Sequence, residues 1–230
     1  MSSTTGLQRP SAVLFDMDGT LVDTEPWWFA AERAYTLSYG AAWDESDAHE
    51  MVGAPLAKTT ARLARVTGSG QTHAQIRSYL INFLLERFEN TAFPWRPGMA
   101  ELTTRLHSHG VPMALVTSSH RPIAEAVTSR LPWGLFSAVI SADDVERLKP
   151  HPEPYLKAMA ELQAEPDLTI VIEDSASGLA SAHASGARVV GIPCVTPIAR
   201  APERSIVKSG DDLTDQVLHR LISGEVIDLT

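Results

Sequence analysis

Short apolar runs recur along the chain, each stopping abruptly: Ser11–Phe15 before Asp16, Pro112–Val116 before Thr117, Ala138–Ile140 before Ser141, Leu168–Ile172 before Glu173, and Ala187–Ile192 before Pro193. None alternates polar with apolar residues, so each predicts a strand buried on both faces, as in a parallel sheet. Helical patterns lie between them. Gly98–His109 places Met99, Leu102 and Leu106 on one side and stops at Gly110. Pro122–Leu131 begins with a proline suited to a first turn. Pro152–Leu162 carries Tyr155, Leu156 and Met159 on one face, and Ser175–Ser185, rich in small residues, ends at Gly186. Strand and helix in alternation predict an α/β fold with a doubly wound, Rossmann-like parallel sheet.

The rhythm breaks between Trp27 and Thr91. Ala30–Leu37, Leu56–Val66 and Ala74–Phe88 read as helices, and no strand pattern intervenes. An all-α insertion (27–91) therefore splits an α/β core made of residues 11–26 and 92–230, behind a flexible tail (1–10). The length of 230 residues suits one domain carrying a smaller inserted one. With 19 basic and 28 acidic residues the net charge is −9, which argues against a nucleic-acid or membrane-surface partner. It leaves an anionic small molecule open, since a metal ion or local dipoles override net charge. Cys194 is the sole cysteine, so no intrachain disulfide or Cys-rich zinc site is available, and it is expected to be inert. No apolar run approaches the roughly 20 residues of a membrane span. The start is polar and lacks the apolar stretch of a secretory signal. A soluble cytoplasmic protein is expected, and the lack of a long heptad pattern favours a monomer.

Ligands of an open parallel sheet bind beyond the carboxyl ends of its strands. There the first strand offers Asp16-Met17-Asp18-Gly19-Thr20-Leu21-Val22-Asp23, the second Thr117-Ser118-Ser119, and the fourth Glu173-Asp174-Ser175, with Lys149 following the third. Asp16 and Asp174 at adjacent strand ends would repel each other without a counter-charge. A hard divalent cation with oxygen ligands relieves that repulsion, and Mg²⁺ suits a shell completed by phosphate. Thr117 and backbone N–H groups at a helix start can hold phosphate oxygens. A carboxylate is an established nucleophile toward phosphorus, and a second one two residues on can act as acid, then base. Gly19 permits the close turn that lets both acids face one point.

These four segments, in this order and spacing, resemble the motifs of the haloacid dehalogenase superfamily over about residues 11–195. The insertion after the first motif resembles its helical cap of the first type. The resemblance implies a Mg²⁺-dependent hydrolase of a small phosphorylated metabolite. Asp16 would be nucleophile and metal ligand. Asp18 would be the acid/base, with its backbone carbonyl on the metal. Thr117 would bind the transferring phosphoryl group, and Lys149 would pair with Asp16 and phosphate. Asp174 would be a metal ligand, and Glu173 a direct or water-mediated one. Gly19, Thr20 and Ser118 fall within the phosphate-binding segments. True dehalogenases lack an acid at the position of Asp18, so its presence implies phosphoryl transfer.

A sugar phosphomutase similar to β-phosphoglucomutase is the alternative. Those mutases carry a His five residues after the position of Asp23, where Trp28 stands here. They also carry an Arg soon after a cap glycine, where Gly53-Ala54-Pro55-Leu56-Ala57-Lys58 offers only the displaced Lys58. Both departures favour a phosphatase. Trp28, Val52–Leu56 and Lys58 are candidate selectors of substrate, although a cap lysine such as Lys58 is more often a solvated side chain than a selector. Trp27 or Trp28 could line the cleft, Trp133 reads as core, and His120 could meet substrate or solvent.

Overall fold

The computed structural model describes residues 7–51, 54–132 and 134–230. Most of the expected tail, the Val52–Gly53 part of the selector segment and the packing expected of Trp133 lie outside the described residues.

Six parallel strands form one sheet: β1 (Ala12–Phe15), β2 (Met113–Val116), β3 (Ala138–Ile140), β4 (Thr169–Glu173), β5 (Arg188–Gly191) and β6 (Arg204–Ile206), in the order β3-β2-β1-β4-β5-β6. The chain winds outward from β1 in both directions, so the switch point lies beside β1. Both faces are covered. Val13 and Phe15 join one apolar cluster, Ala12 and Leu14 the other, which is why the strand reads as unbroken apolar sequence. On the first face pack α5 (Met99–Ser108), α6 (Arg121–Thr128) and α9 (Asp215–Ile222). On the second lie α7 (Glu153–Leu162) and α8 (Ala176–Ala184).

Between β1 and β2 the described chain is helical: α1 (Glu25–Ser38), α2 (Glu45–His49), α3 (Leu56–Thr67) and α4 (His73–Asn90). Helix α4 buries Ile76, Leu80, Leu84 and Phe88, a one-sided i, i+4 stripe packed against α1 and α3. Thr72 and Gln75 form a capping box that sets its start. Helix α1 begins five residues before the expected Ala30, because Glu25 and Pro26 suit a first turn although neither extends the apolar pattern.

Four elements differ from the sequence reading. β6 and α9 had no counterpart in it: Arg204-Ser205-Ile206 is a short edge strand with polar residues, so it lacks an apolar run. α2 is a single capped turn too short for periodicity to register. In α7, Tyr155 and Met159 face inward, but Leu156 is 44% exposed, because one residue of helix rotates the side chain about 100° away. Among the described residues no helix is long and apolar enough to cross a membrane.

Candidate active site

Asp16 continues directly from β1, its backbone N–H donating to the Ile172 carbonyl of β4. The chain then turns at Gly19, whose φ is +80°. A Cβ there would sit 2.4 Å from Asp174 Oδ2, so this turn needs glycine both for its backbone and for the nearby carboxylate. The turn brings Asp18 back beside Asp16.

Asp18 is held by donors on both oxygens. Oδ1 accepts from Thr24 Oγ1 at 2.5 Å and from Trp28 Nε1 at 3.1 Å. Oδ2 accepts from Ser119 Oγ at 2.7 Å, with Thr117 Oγ1 at 3.4 Å. Thr24 stands at the N-cap of α1 without capping it, because its hydroxyl is committed to Asp18. Trp28 is thus a direct link between the helical insertion and this carboxylate.

Lys149 is buried, and its ammonium makes three bonds: to Asp16 Oδ1 at 2.6 Å, Glu173 Oε1 at 2.7 Å and the Val116 carbonyl at 2.9 Å. Its Nζ also lies 4.8 Å from the centroid of the Tyr155 ring. The two carboxylates outweigh the burial and hold its pKa well above the ordinary lysine value. Glu173 is fully buried and uses both oxygens. Oε1 also accepts from Tyr155 Oη at 2.7 Å, while Oε2 accepts from the backbone N–H groups of Asp174 and Ser175 and from Ser175 Oγ. A Cβ on Gly178 would fall 1.7 Å from Glu173 Oε1, so the start of α8 is bare where that carboxylate lies.

Asp174 Oδ1 accepts from Thr20 Oγ1 at 3.0 Å. Asp16, Glu173 and Asp174 each bring a carboxylate oxygen within 4.8 Å of the others. Three buried acids facing one ammonium are short of positive charge. Burial, then the neighbouring carboxylates, push Asp16 well above the usual range, and burial with Glu173 pushes Asp174 up to about 8. A divalent cation supplies the missing charge, and an all-oxygen donor set suits Mg²⁺. The cluster therefore fits the metal expected from sequence, through Asp16 and Asp174 foremost. The Asp18 side chain is not part of it.

A cavity of roughly 380 Å³ opens over these groups, between the strand ends and the helical insertion. Of the residues singled out from the sequence, Asp16, Asp18, Thr117, Ser118, Lys149, Asp174 and Trp28 line it. Other candidates take different places. Gly19 and Thr20 do not line it but shape and hold Asp174. Lys58 lies outside it, its exposed Nζ 3.4 Å from the Glu50 carbonyl. His120 pairs with Asp143 at 2.7 Å, and Trp27 packs edge-on against Phe88. Burial raises the Cys194 thiol to about 11, which keeps it unreactive. Sequence reasoning missed Thr24, Ser119 and Tyr155. Thr24 follows the first motif directly and Ser119 closes the second, where neither spacing nor residue type sets them apart, whereas Tyr155 looks like an ordinary apolar helix position.

The sequence profile of the haloacid dehalogenase-like hydrolases matches residues 13–192. The chain is 31% identical over 189 residues to the phosphorylated carbohydrates phosphatase of Thermotoga maritima, covering 79% of this chain and 84% of that one. It is 30% identical over 206 residues to the bifunctional riboflavin kinase/FMN phosphatase of Arabidopsis thaliana, covering 84% of this chain but spanning only about half (51%) of that relative. The structure of CbbY from Rhodobacter sphaeroides in complex with phosphate superposes with a TM-score of 0.79 at 25% identity, over 89% of this chain and 96% of that one. With its ordered motifs converging at the strand ends and its sequence matching from β1 through β5, the chain belongs to the haloacid dehalogenase-like hydrolase family.

Proposed function

We propose that the protein is a Mg²⁺-dependent phosphomonoester hydrolase of a small phosphorylated metabolite, working through an aspartyl-phosphate on Asp16. The observation that carries this reading is the pairing at one cavity floor. Asp16 has one oxygen fixed by Lys149 and, among the described residues, no donor on the other, while Asp18 beside it is held by donors on both oxygens. Asp16 Oδ2 would attack phosphorus as the bond to the leaving oxygen breaks, and Asp18 would give that oxygen its proton. Asp18, now a carboxylate, would take a proton from the water that attacks the aspartyl-phosphate, releasing phosphate and restoring Asp16. Thr117 and Ser118 would donate to phosphoryl oxygens, and Lys149 would offset their charge. Asp16, Asp174 and the Asp18 backbone carbonyl would hold Mg²⁺, which would supply charge neutralisation at the phosphoryl group. Glu173, with both oxygens occupied, would orient Lys149.

The phosphatase names of the two curated relatives support this reading. The phosphomutase alternative needs a cation for a second phosphate. Among the described lining residues Lys149 is the lone lysine or arginine, and it is spent on Asp16 and Glu173. A cytoplasmic monomer without nucleic-acid or membrane partners belongs to the same proposal, on the sequence grounds given above.

Asp16→Asn tests it. The variant is expected to abolish release of p-nitrophenol from its phosphate ester while its circular dichroism spectrum matches wild type; retained turnover overturns the assignment. Incubation with β-glucose 1-phosphate and a bisphosphate activator separates the alternatives, since isomerisation without free phosphate means mutase.

A further inference from the structure

The end of the cavity away from the reacting groups is built around a buried acid. Glu25, Trp28 and Glu32 stand at i, i+3 and i+7 on α1, so they share one side of the helix, and all three line the cavity. Trp28 is fixed at the reacting end by its bond to Asp18. Glu32 stands one turn further, about 6 Å along the helix. It is 4% exposed, and its Oε2 accepts from Trp43 Nε1 at 3.0 Å. Among the described residues nothing donates to Oε1. Burial raises its pKa to about 7. Phe29, Met51 and Leu56 make the adjoining wall apolar, and Glu45 and His49 stand at the exposed mouth.

A buried carboxyl with one oxygen unpaired is costly unless a donor completes it. The cavity puts that oxygen where a bound molecule, and not the chain, would supply the donor. When Glu32 is ionised, as it is well above pH 7, an anion about 6 Å from it at the intermediate dielectric of such a cleft is disfavoured by about 100-fold; nearer neutral pH Glu32 takes up a proton instead and the exclusion fades.

We propose that Glu32, positioned by Trp43, reads the leaving group: it accepts from a hydroxyl or ammonium at the end of the leaving group away from phosphorus, and excludes leaving groups that carry a carboxylate or second phosphate there. The protein is on this view selective for monophosphates of polyols, sugars or amino sugars. The inference rests on the phosphatase reading and adds to it the chemistry of the unreacting end.

The test compares kcat/KM for glucitol 6-phosphate, glucosamine 6-phosphate, 6-phosphogluconate and fructose 1,6-bisphosphate. Measured at pH 9, where Glu32 is ionised, the first two should exceed the anionic pair in the wild type by at least about 30-fold. Glu32→Gln keeps the shape and should cut that ratio at least about tenfold by removing the charge; Trp43→Phe, which frees Glu32, should cut it too. A gain for glucosamine 6-phosphate over glucitol 6-phosphate that vanishes in Glu32→Gln identifies ammonium as the preferred donor, and parity identifies hydroxyl. Anionic substrates turned over within threefold of neutral ones, or ratios unmoved in both variants, overturn the inference. The same ligands titrated calorimetrically into Asp16→Asn with Mg²⁺ separate the two proposals. A neutral-over-anionic binding preference without wild-type turnover would keep the role of Glu32 and overturn the phosphatase reading.

Discussion

Replacing Lys149 by Met keeps most of the side-chain volume and removes the charge. The ammonium is buried and bridges Asp16 and Glu173 at 2.6 and 2.7 Å, with a third bond to Val116. Breaking a buried ion pair from one side costs about 3–5 kcal/mol, because the abandoned charge stays buried. The site offers an escape, since one of the two acids can take up a proton. Keeping a carboxyl in its acid form costs about 1.36 kcal/mol for each pH unit above an ordinary value of about 4.3. That is about 4 kcal/mol at pH 7.5 and about 1 kcal/mol at pH 5. Lys149→Met should therefore lose about 4 kcal/mol of unfolding free energy at pH 7.5 and recover most of it at pH 5. Urea unfolding of the metal-free protein, with equal m values for both proteins, measures the difference at the two pH values. A penalty below about 1 kcal/mol at pH 7.5, or one equal at both pH values, would refute the view that Lys149 compensates these acids.

Two further expectations follow from the same site. Trp28→Phe removes a donor from Asp18 and leaves the ring; kcat on p-nitrophenyl phosphate should fall about tenfold, the worth of one hydrogen bond to a charged group, with KM within twofold, and an unchanged kcat would rule out a positioning role. Asp16 and Asp174 have folded pKa values raised by burial and by neighbouring carboxylates, Asp174 to about 8. The folded, metal-free protein then holds more protons than the unfolded one, so their contribution to stability is complete below about pH 4 and is lost as pH rises toward 8. Mg²⁺ competes with those protons, so thermal melts should show a larger Mg²⁺-induced rise at pH 8 than at pH 5, worth about 2.7 kcal/mol at 100 times Kd. An equal rise at both pH values would count against Asp16 and Asp174 as its ligands.

Much of the core was legible because its strands are buried on both faces. Val13 and Phe15 face one layer and Ala12 and Leu14 the other, so burial appears in the sequence as an unbroken apolar run. The edge strand at Arg204–Ile206 left no such trace, since it buries less and tolerates polar residues. The side chains gathered at the strand ends were legible for a related reason. In a parallel sheet the residue that ends a strand is placed by topology, so Asp16, Thr117 and Asp174 converge from positions far apart in sequence.

The residues around them were not. Tyr155 reads as one more inward helix position until β4 places Glu173 2.7 Å from its hydroxyl. Glu32 has the pattern of any helix acid, and only the packing of α1 against the segment carrying Trp43 makes it a buried group facing the cavity. Lys58, a plausible selector by spacing, lies outside the cavity because α3 carries it to the surface. Sequence alone determined five of the six strands, the helical insertion and which side chains meet at the strand ends, because burial periodicity and strand termini are local properties. Which side chains support that chemistry, and which face the leaving group, was decided by tertiary packing, because burial and charge compensation depend on neighbours brought from distant parts of the chain.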